Sequence, residues 1–177
     1  MDIKNTTSSQ LMNSKLNTLF LIQLQHLYWA EQKQLETLSY LVEIAENSDL
    51  KNALRHHLAE TQIHVYRLQY IFDVLNEKPV ALKWQVMESI IDEGTDMIVF
   101  TDKYSDGLDL VVLAACEKIN CYEVASYLNL IQFAVACGQN GVLEALEQTL
   151  NEERMSNKLL GRITSKESAT NHAELLV

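Results

Sequence analysis

The most apolar part of the chain reads LDLVVLAACEKINCYEVASYLNLIQFAVA and covers residues 108–136. Its apolar side chains fall on several faces of a helix instead of one stripe, which is typical of a helix surrounded by other helices. The loop YSDG at 104–107 precedes this segment, and the break CGQNG at 137–141 follows it. The segment therefore predicts a central helix that other helices must cover.

Further helices are predicted on both sides of the central one by apolar residues at helical spacing. They cover residues 16–45, 50–75, 82–100 and 142–163. The turn ENSD at 46–49 separates the first two, with Ser48 or Asp49 as the expected N-cap. Pro79 ends the first hairpin, because the residue before a proline resists helical backbone angles. Four long helices and one short helix, joined by short loops, predict an antiparallel bundle.

The short helix at 82–100 lies in the connection between two helical hairpins. A bundle whose second and third long helices are joined by a long crossover has the connectivity of ferritin-like folds. We therefore predict an all-α, ferritin-like four-helix bundle with an extra helix in the crossover. The bundle domain is expected at 13–164, after a disordered N-terminal segment at 1–12 and before a polar tail at 165–177.

The composition excludes several classes of protein. Of 177 residues, only 5 are Gly and 1 is Pro, which cannot supply the turns of an all-β fold. The net charge of −10 argues against a nucleic-acid binder, which needs a basic surface, and against docking on anionic membranes. No segment has the 18 continuous apolar residues of a membrane span.

The cysteines are odd in number and include no CxxC pair; they are Cys116, Cys121 and Cys137. Such a set is a poor disulfide framework and a poor zinc site, and is typical of small apolar residues in a reducing compartment. The polar start of the chain has no basic segment followed by an apolar run, so no secretory signal is predicted. A cytoplasmic location is expected.

The two predicted hairpins contain an internal repeat. LYWAE at 27–31 aligns with INCYE at 119–123, and ALRHHLAE at 53–60 then aligns with ALEQTLNE at 145–152 without a gap. Each of the four segments ends on a glutamate. The repeat therefore selects one Glu on each long helix, namely Glu31, Glu60, Glu123 and Glu152.

A dinuclear iron or manganese centre in a bundle needs one Glu from each of two helices and a Glu-x-x-His unit from each of the other two. Here Glu153 lies beside Glu152, and His57 and His64 lie on the helical face of Glu60. The usual spacing from Glu60 would place a histidine at the position of Ile63. The candidate metal ligands are therefore rich in carboxylate and poor in histidine: Glu31, Glu60, His57, His64, Glu123, Glu152 and Glu153.

A single Glu on a helix is usually a solvated surface residue. Glu123 differs, because it lies in the most apolar helix of the chain. A buried carboxylate without a partner would cost several kcal/mol, on the order of the desolvation penalty of a charged group, so it should be bound to something.

Five segments of the chain follow one another in a recognisable order. They are LYWAEQKQ at 27–34, HLAETQIHVYRL at 57–68, MESIIDEG at 87–94, KINCYEVASY at 118–127 and EQTLNEE at 147–153. In this order they resemble the YciE/YciF-type family of ferritin-like stress proteins, over about residues 16–160. The resemblance implies a ferritin-like bundle, a centre of two iron or manganese ions, a homodimer and a stress-related role, without a defined reaction.

Three residues depart from the pattern of that family. Asn120 stands where Glu is usual, Cys121 where His is usual and Asn157 where Asp is common. An amide coordinates a cation only through a neutral oxygen, so Asn120 and Asn157 supply less charge than carboxylates would. Metal binding is expected to be weaker, limited to one ion, or absent.

Two functions of different class remain. The first is a di-iron carboxylate protein that oxidises Fe(II) or disposes of peroxide, with Tyr28 or Tyr122 in contact with the ligands. The second is a metal-free bundle that serves as a dimeric interaction module, which the substitutions at Asn120, Cys121 and Asn157 favour. Nothing in the sequence favours a storage cage.

Overall fold

Long stretches without Gly or Pro let this chain form long helices. The computed structural model describes the backbone of residues 3–101 and 107–174 and the side chains of 15–101 and 107–165. The helices are α1 (Ile3–Ile44), α2 (Ser48–Val74), α3 (Gln85–Phe100), α4 (Leu108–Ala136) and α5 (Leu143–Glu174), with a 3₁₀ turn at Asn140–Val142. The predicted all-α bundle is confirmed, and α4 has the predicted bounds.

The four long helices form two hairpins that pack side by side. Helix α1 packs against α2, α4 against α5, α1 against α4 and α2 against α5. Gln139 at the end of α4 bonds Asn17 near the start of α1, so these two helices are antiparallel. Helices α2 and α4 therefore run in the same direction, and the chain crosses the bundle between them. Helix α3 lies in this crossover and packs on α4.

The first part of the crossover is fixed to α1. The backbone N–H of Leu82 donates to the carbonyl of Gln25 at 3.1 Å, and Nδ1 of His26 donates to the carbonyl of Leu82 at 3.2 Å. Because α1 holds the backbone of Leu82 on both sides, α3 begins at Gln85 and not at residue 82 as predicted.

The start of α2 differs from the prediction in its capping residue. The N-cap is Asn47, whose Oδ1 accepts from the N–H groups of Asp49 at 2.7 Å and Leu50 at 3.1 Å. The expected cap at Ser48 or Asp49 is therefore wrong, since both already belong to the first turn of the helix. Asp109 of α4 accepts from the backbone N–H groups of Glu46 and Asn47, just before α2, and holds this connection against the second hairpin.

Both terminal helices are longer than predicted. Helix α1 begins at Ile3 and α5 continues to Glu174, because neither segment contains a proline and only Gly161 interrupts the pattern of side chains. Residues 3–12 and 165–174, expected as a disordered segment and a tail, continue these helices in the structure. The domain limits of 13 and 164 stay a prediction. The predicted loop residues 104–106 lie outside the described part of the chain.

In the described part of the chain, the core contains three apolar clusters: two lie within the four long helices, and a smaller third one, with Met87, Ile91 and Ile119, lies where α3 packs on the bundle. The first contains residues from all four long helices, among them Leu27, Leu68, Leu130 and Leu150. The second contains, among others, Leu41, Leu54, Cys116 and Leu160. Within the described residues, no helix has both the length and the hydropathy needed to cross a bilayer.

Candidate metal centre

A layer of buried polar side chains crosses the bundle between the first and second apolar clusters. Each of the four long helices contributes to it. Its carboxylates and imidazoles are Glu31 on α1, His57 and His64 on α2, Glu123 on α4 and Glu153 on α5. Four of these side chains are 0% exposed and His57 is 3% exposed. Burial of ionisable groups is costly unless they are paired, so the partners of these groups decide what the layer does.

One group of possible ligands consists of Glu31, His64 and Glu153. Nδ1 of His64 lies 3.0 Å from Oε1 of Glu153 and 3.5 Å from Oε2 of Glu31. Metal–ligand bonds of about 2.0–2.2 Å place neighbouring ligand atoms roughly 3 Å apart. The three side chains thus have the spacing of ligands around one cation.

A second group consists of His57, Glu123 and Glu153. Nε2 of His57 lies 3.4 Å from Oε2 of Glu153, on the opposite oxygen from the one that faces His64. Glu153 is therefore shared by the two groups, one oxygen toward each imidazole. A shared carboxylate is the usual bridge between two cations in a dinuclear centre of a helical bundle.

Many of the polar atoms in this layer make no well-formed hydrogen bond within the described residues. They are Oε2 of Glu31, Oε1 of Gln34, both ring nitrogens of His57, Nδ1 of His64, Oδ1 of Asn120, both oxygens of Glu123 and Oε1 of Glu153. The nearest neighbours of these atoms are one another: Nδ1 of His64 faces the carboxylates of Glu31 and Glu153, and Nε2 of His57 faces Glu153. Lone pairs on carboxylate and imidazole are the donor set that iron and manganese take.

The pKa values of the layer reflect both burial and charge. Burial lowers the pKa of His64, but the carboxylates of Glu31 and Glu153 outweigh burial and raise it to about 11. Burial raises the pKa of Glu153, but the imidazoles of His57 and His64 bring it down to about 2. Burial, with the charges of Glu153 and Glu31, raises the pKa of Glu123 well above its usual value. At neutral pH His64 is charged and Glu153 is ionised.

The structure brings five of the seven predicted ligands together in the two ligand groups. The other two, Glu60 and Glu152, belong to neither group. Glu60 points away from the layer, where its carboxylate accepts from Oγ of Ser156 at 2.8 Å and pairs with the exposed His56. Glu152 lies at the edge of the layer and is 26% exposed. It contacts Nε2 of His64 at 2.9 Å and pairs with Arg67.

The offset between the two hairpins was predicted correctly, but the Glu-x-x-His units begin one residue after Glu60 and Glu152, at Thr61 and Glu153. The offset that takes Glu31 to Glu123 takes Thr61 to Glu153 and His64 to Ser156. All four of these α2 and α5 residues are buried. One unit is therefore Thr61-x-x-His64 and the other is Glu153-x-x-Ser156. Each unit keeps one ligand and has a hydroxyl residue in place of the other.

The spacing of apolar residues along α2 could have identified this register from the sequence. Ile63, at the position where a histidine would follow Glu60, is 52% exposed, so that register points to solvent. His64 lies at helical spacing from the buried Leu68 and Phe72 and so shares their face.

The three departures from the family pattern have different positions. Asn120 is buried in the layer and its amide donates to Oε2 of Glu153. Cys121 and Asn157 contact each other outside the ligand groups, and Cys121 is exposed, so Cys121 is not a substitute ligand. Of the family departures, only Asn120 changes the charge of the layer.

The tyrosine that contacts a ligand is Tyr127, which the sequence did not single out. Its hydroxyl donates to Oε1 of Glu31 at 2.5 Å. The expected tyrosines lie elsewhere. Tyr28 accepts from the amide of Gln69, and Tyr122 packs on the ring of Trp84.

Comparisons with known proteins agree with this architecture. The family described as Domain of unknown function (DUF892) matches residues 15–173. YciF of Escherichia coli K12 is 31% identical over 148 residues, which are 82% of this chain and 89% of YciF.

Solved structures are also similar to this chain. The crystal structure of the stress protein YciF of E. coli superposes with a TM-score of 0.81, at 26% identity, over 87% of this chain and 97% of that one. YcfI of Rhodopseudomonas palustris superposes with a TM-score of 0.79, at 32% identity, over 82% of this chain and 92% of that one.

Proposed function

The chain belongs to the family described as Domain of unknown function (DUF892). On this premise we propose that it is a cytoplasmic ferritin-like protein with a stress-related role. We propose further that it binds divalent iron or manganese in its buried polar layer. The stress-related part of the proposal rests on the relative YciF, which is described as a stress protein. The cytoplasmic part is supported by the cysteines, since Cys116, Cys121 and Cys137 are all free thiols.

The observation that carries the metal proposal is the meeting of buried carboxylate oxygens and imidazole nitrogens in one layer of the bundle. Glu31, His64 and Glu153 each direct one such atom at the other two. A divalent cation at this point would satisfy all three atoms and offset the cost of burying the carboxylates. An apolar bundle core that served only as a scaffold would gain nothing from this arrangement.

The ligand groups suggest up to two cations bridged by Glu153. Three carboxylates and two neutral imidazoles would balance three of the four charges of two divalent cations. This donor set is smaller than the four carboxylates and two histidines of complete dinuclear sites in bundles, because Thr61 and Ser156 contribute neither. Two ferrous ions held by these residues would supply the electrons for reduction of oxygen or peroxide, which is the reaction class we assign to the doubly loaded protein.

The experiment that tests this proposal compares Glu153, which is in both ligand groups, with Glu60, which is in neither. The purified protein is freed of metal and titrated without oxygen with Fe(II) or Mn(II) by calorimetry. We expect Glu153→Gln, which removes the bridging charge, to abolish or strongly weaken binding. Glu60→Gln is the matched control, because Glu60 lies outside both ligand groups, and it should bind like the wild type.

Equal loss of binding in both variants would mean that the effect is general and not local to the layer. No binding by the folded wild-type protein would reject the metal proposal. Circular dichroism of each variant shows whether the bundle is still folded.

A second candidate function is a metal-free bundle that acts as a homodimeric interaction module. One observation favours it: helix α2 carries an apolar stripe on the face opposite the core. Ile63, Tyr66, Tyr70 and Val74 recur at helical spacing along it and are 44–62% exposed. Contiguous exposed apolar surface commonly marks a protein interface.

Sedimentation velocity of the wild type and of Tyr66→Ser/Tyr70→Ser tests this candidate. A wild-type dimer that the double variant converts to a monomer supports an interface on α2. A dimer that survives the double variant places the interface elsewhere, and a wild-type monomer rejects the homodimer.

A further inference from the structure

The three ligands of the first group are each held from behind by a neighbouring side chain. Tyr127 donates to Oε1 of Glu31, and the amide of Asn120 donates to Oε2 of Glu153. In both cases the other oxygen is the one that faces His64. The two carboxylates are thus turned so that Oε2 of Glu31 and Oε1 of Glu153 both face Nδ1 of His64.

His64 is held in the same way, through its other ring nitrogen. Nε2 lies 2.9 Å from Oε2 of Glu152. An ionised carboxylate can only accept, so Nε2 carries the hydrogen and donates it. The ring is then oriented with Nδ1 toward Glu31 and Glu153.

Glu152 is itself fixed by α2 and α5. Both terminal nitrogens of Arg67 bond its carboxylate, at 2.8 Å and 3.2 Å. Arg67 also donates to Oγ1 of Thr149 at 2.6 Å. Two bonds from one guanidinium define the plane of the carboxylate, which in turn defines the direction of its bond to His64. Arg67 also lowers the pKa of Glu152, although burial alone would raise it.

The second ligand group is held less firmly, with a contact from the buried Gln34 to Glu123. Both ring nitrogens of His57 and both oxygens of Glu123 make no well-formed hydrogen bond within the described residues. The oxygen of Glu153 that faces this group, Oε2, is already engaged by Asn120. A cation there would have to orient its own ligands.

We propose that Glu152 is a positioning residue for His64. Held by Arg67, it fixes the ring of His64 so that Nδ1 faces Glu31 and Glu153. As a result, the group of Glu31, His64 and Glu153 is the stronger of two unequal cation positions. This inference rests on the proposed metal binding. It reassigns Glu152, which the sequence predicted as a ligand, to a role outside the ligand shell. Outer partners of a metal-bound histidine fix its tautomer and orientation, and their loss typically weakens metal binding about 10–100-fold.

The test is a titration of the metal-free full-length protein with Co(II), whose visible absorption reports each bound ion. We expect the wild type to bind one ion tightly and a second more weakly. Glu152→Ala should weaken the first step about 10–100-fold and change the second step little. Glu152→Gln keeps an acceptor for Nε2 and should recover much of the affinity. Glu147→Ala, an exposed carboxylate on the same helix, is the matched control and should match the wild type.

A readout that a purely structural role would not move comes from ¹⁵N NMR of the histidines in the Zn(II)-loaded protein. We expect Nδ1 of His64 to be the metal-bound nitrogen and Nε2 to be protonated in the wild type. In Glu152→Ala the population should include metal bound through Nε2. Should Glu152→Ala not fold, Arg67→Met, which leaves Glu152 in place without its holder, should weaken the first step in the same direction.

The outcomes separate this inference from the proposed function. If the folded wild type binds no Co(II), the proposed metal function fails. If it binds Co(II) but Glu152→Ala has the wild-type affinity, or loses both steps equally, the positioning role of Glu152 is overturned while metal binding stands. Metal on Nε2 in the wild type would also overturn it.

Discussion

Glu153 is the residue on which the layer depends, because its two oxygens face the two imidazoles. Oε1 faces His64 and Oε2 faces His57, so the side chain joins the two ligand groups. Its low pKa keeps it ionised at every pH at which the protein would meet a cation. A neutral amide at this position would leave both groups with a single carboxylate.

Binding of the first cation should release about one proton near pH 7. His64, with its pKa raised to about 11, holds a proton on Nδ1 that the cation must displace. Below pH 11, the affinity for the cation should therefore increase about tenfold for each unit by which the pH is raised. Calorimetry in two buffers of different ionisation enthalpy measures the released protons. A proton count of zero would mean that His64 is already neutral or is not a ligand.

Cys116 should make the bundle sensitive to alkali. Burial, with the charge of Glu117, raises its pKa from 9.0 to about 12. A raised pKa contributes stability that is complete below pH 9 and is lost as the pH rises from 9 toward 12. The free energy of unfolding of the wild type should therefore fall faster over this range than that of Cys116→Ala, by up to about 1.4 kcal/mol per pH unit.

Urea unfolding at pH 8 and pH 10.5 measures this difference. The variant Cys121→Ala controls for loss of an exposed thiol. A parallel decline of wild type and Cys116→Ala would show that the thiol of Cys116 can ionise within the folded protein.

At the scale of the helices, the crossover is held by close packing of α3 on α4. A Cβ added at Gly94 would lie 2.8 Å from Cβ of Ala115, closer than two carbon atoms can approach without movement. Gly94 therefore permits the approach of the two helices, and Ala115 is small enough to complete it.

Gly94→Ala should destabilise the protein by about 1–3 kcal/mol, because α3 must move away from α4. The control is Gly161→Ala in α5, where the nearest atom to the added Cβ is a side-chain oxygen of Glu117 at 3.8 Å. That substitution should stabilise by about 0.5–1 kcal/mol, since alanine favours the helix over glycine. Thermal unfolding of both variants tests the contrast, and a stable Gly94→Ala would show that α3 is loosely attached.

The helices also show which part of the fold could be read from sequence. Apolar spacing predicted each helix, and α4 has the predicted bounds, because its ends are set by local breaks such as Gly138 with its positive φ of 72°. The start of α3 was wrong, because the residue that decides it, Leu82, is held by α1 and not by its own neighbours. Contacts between distant residues cannot be read from a local pattern.

The same limit applies to the candidate centre. Burial of Glu31, His64 and Glu123 follows from their place among apolar neighbours. The roles of Glu152 and Glu153, adjacent in sequence, differ because helical rotation turns one toward Arg67 and the other into the layer. The sequence repeat aligns equally well with Glu152 and with Glu153, so it cannot show which of the two is the ligand.

At the scale of the whole molecule, a bound cation should hold the two hairpins together. The proposed ligands come from both hairpins, so binding to the folded state alone stabilises it by about 2.7 kcal/mol at a hundredfold excess over Kd. We expect Mn(II) to raise the Tm of the wild type and of Glu60→Gln by roughly 5–10 °C. Glu153→Gln should show little or no shift. An equal shift in all three proteins would indicate binding at some other place.

The two hairpins supply opposite members of a Glu-x-x-His unit. The first hairpin keeps the imidazole in Thr61-x-x-His64, and the second keeps the carboxylate in Glu153-x-x-Ser156. Two copies of the first hairpin would bring histidines together with only the Glu31 carboxylates, and two copies of the second would bring together carboxylates without an imidazole. The two halves match in the spacing of their helices but not in their chemistry, so neither half could replace the other.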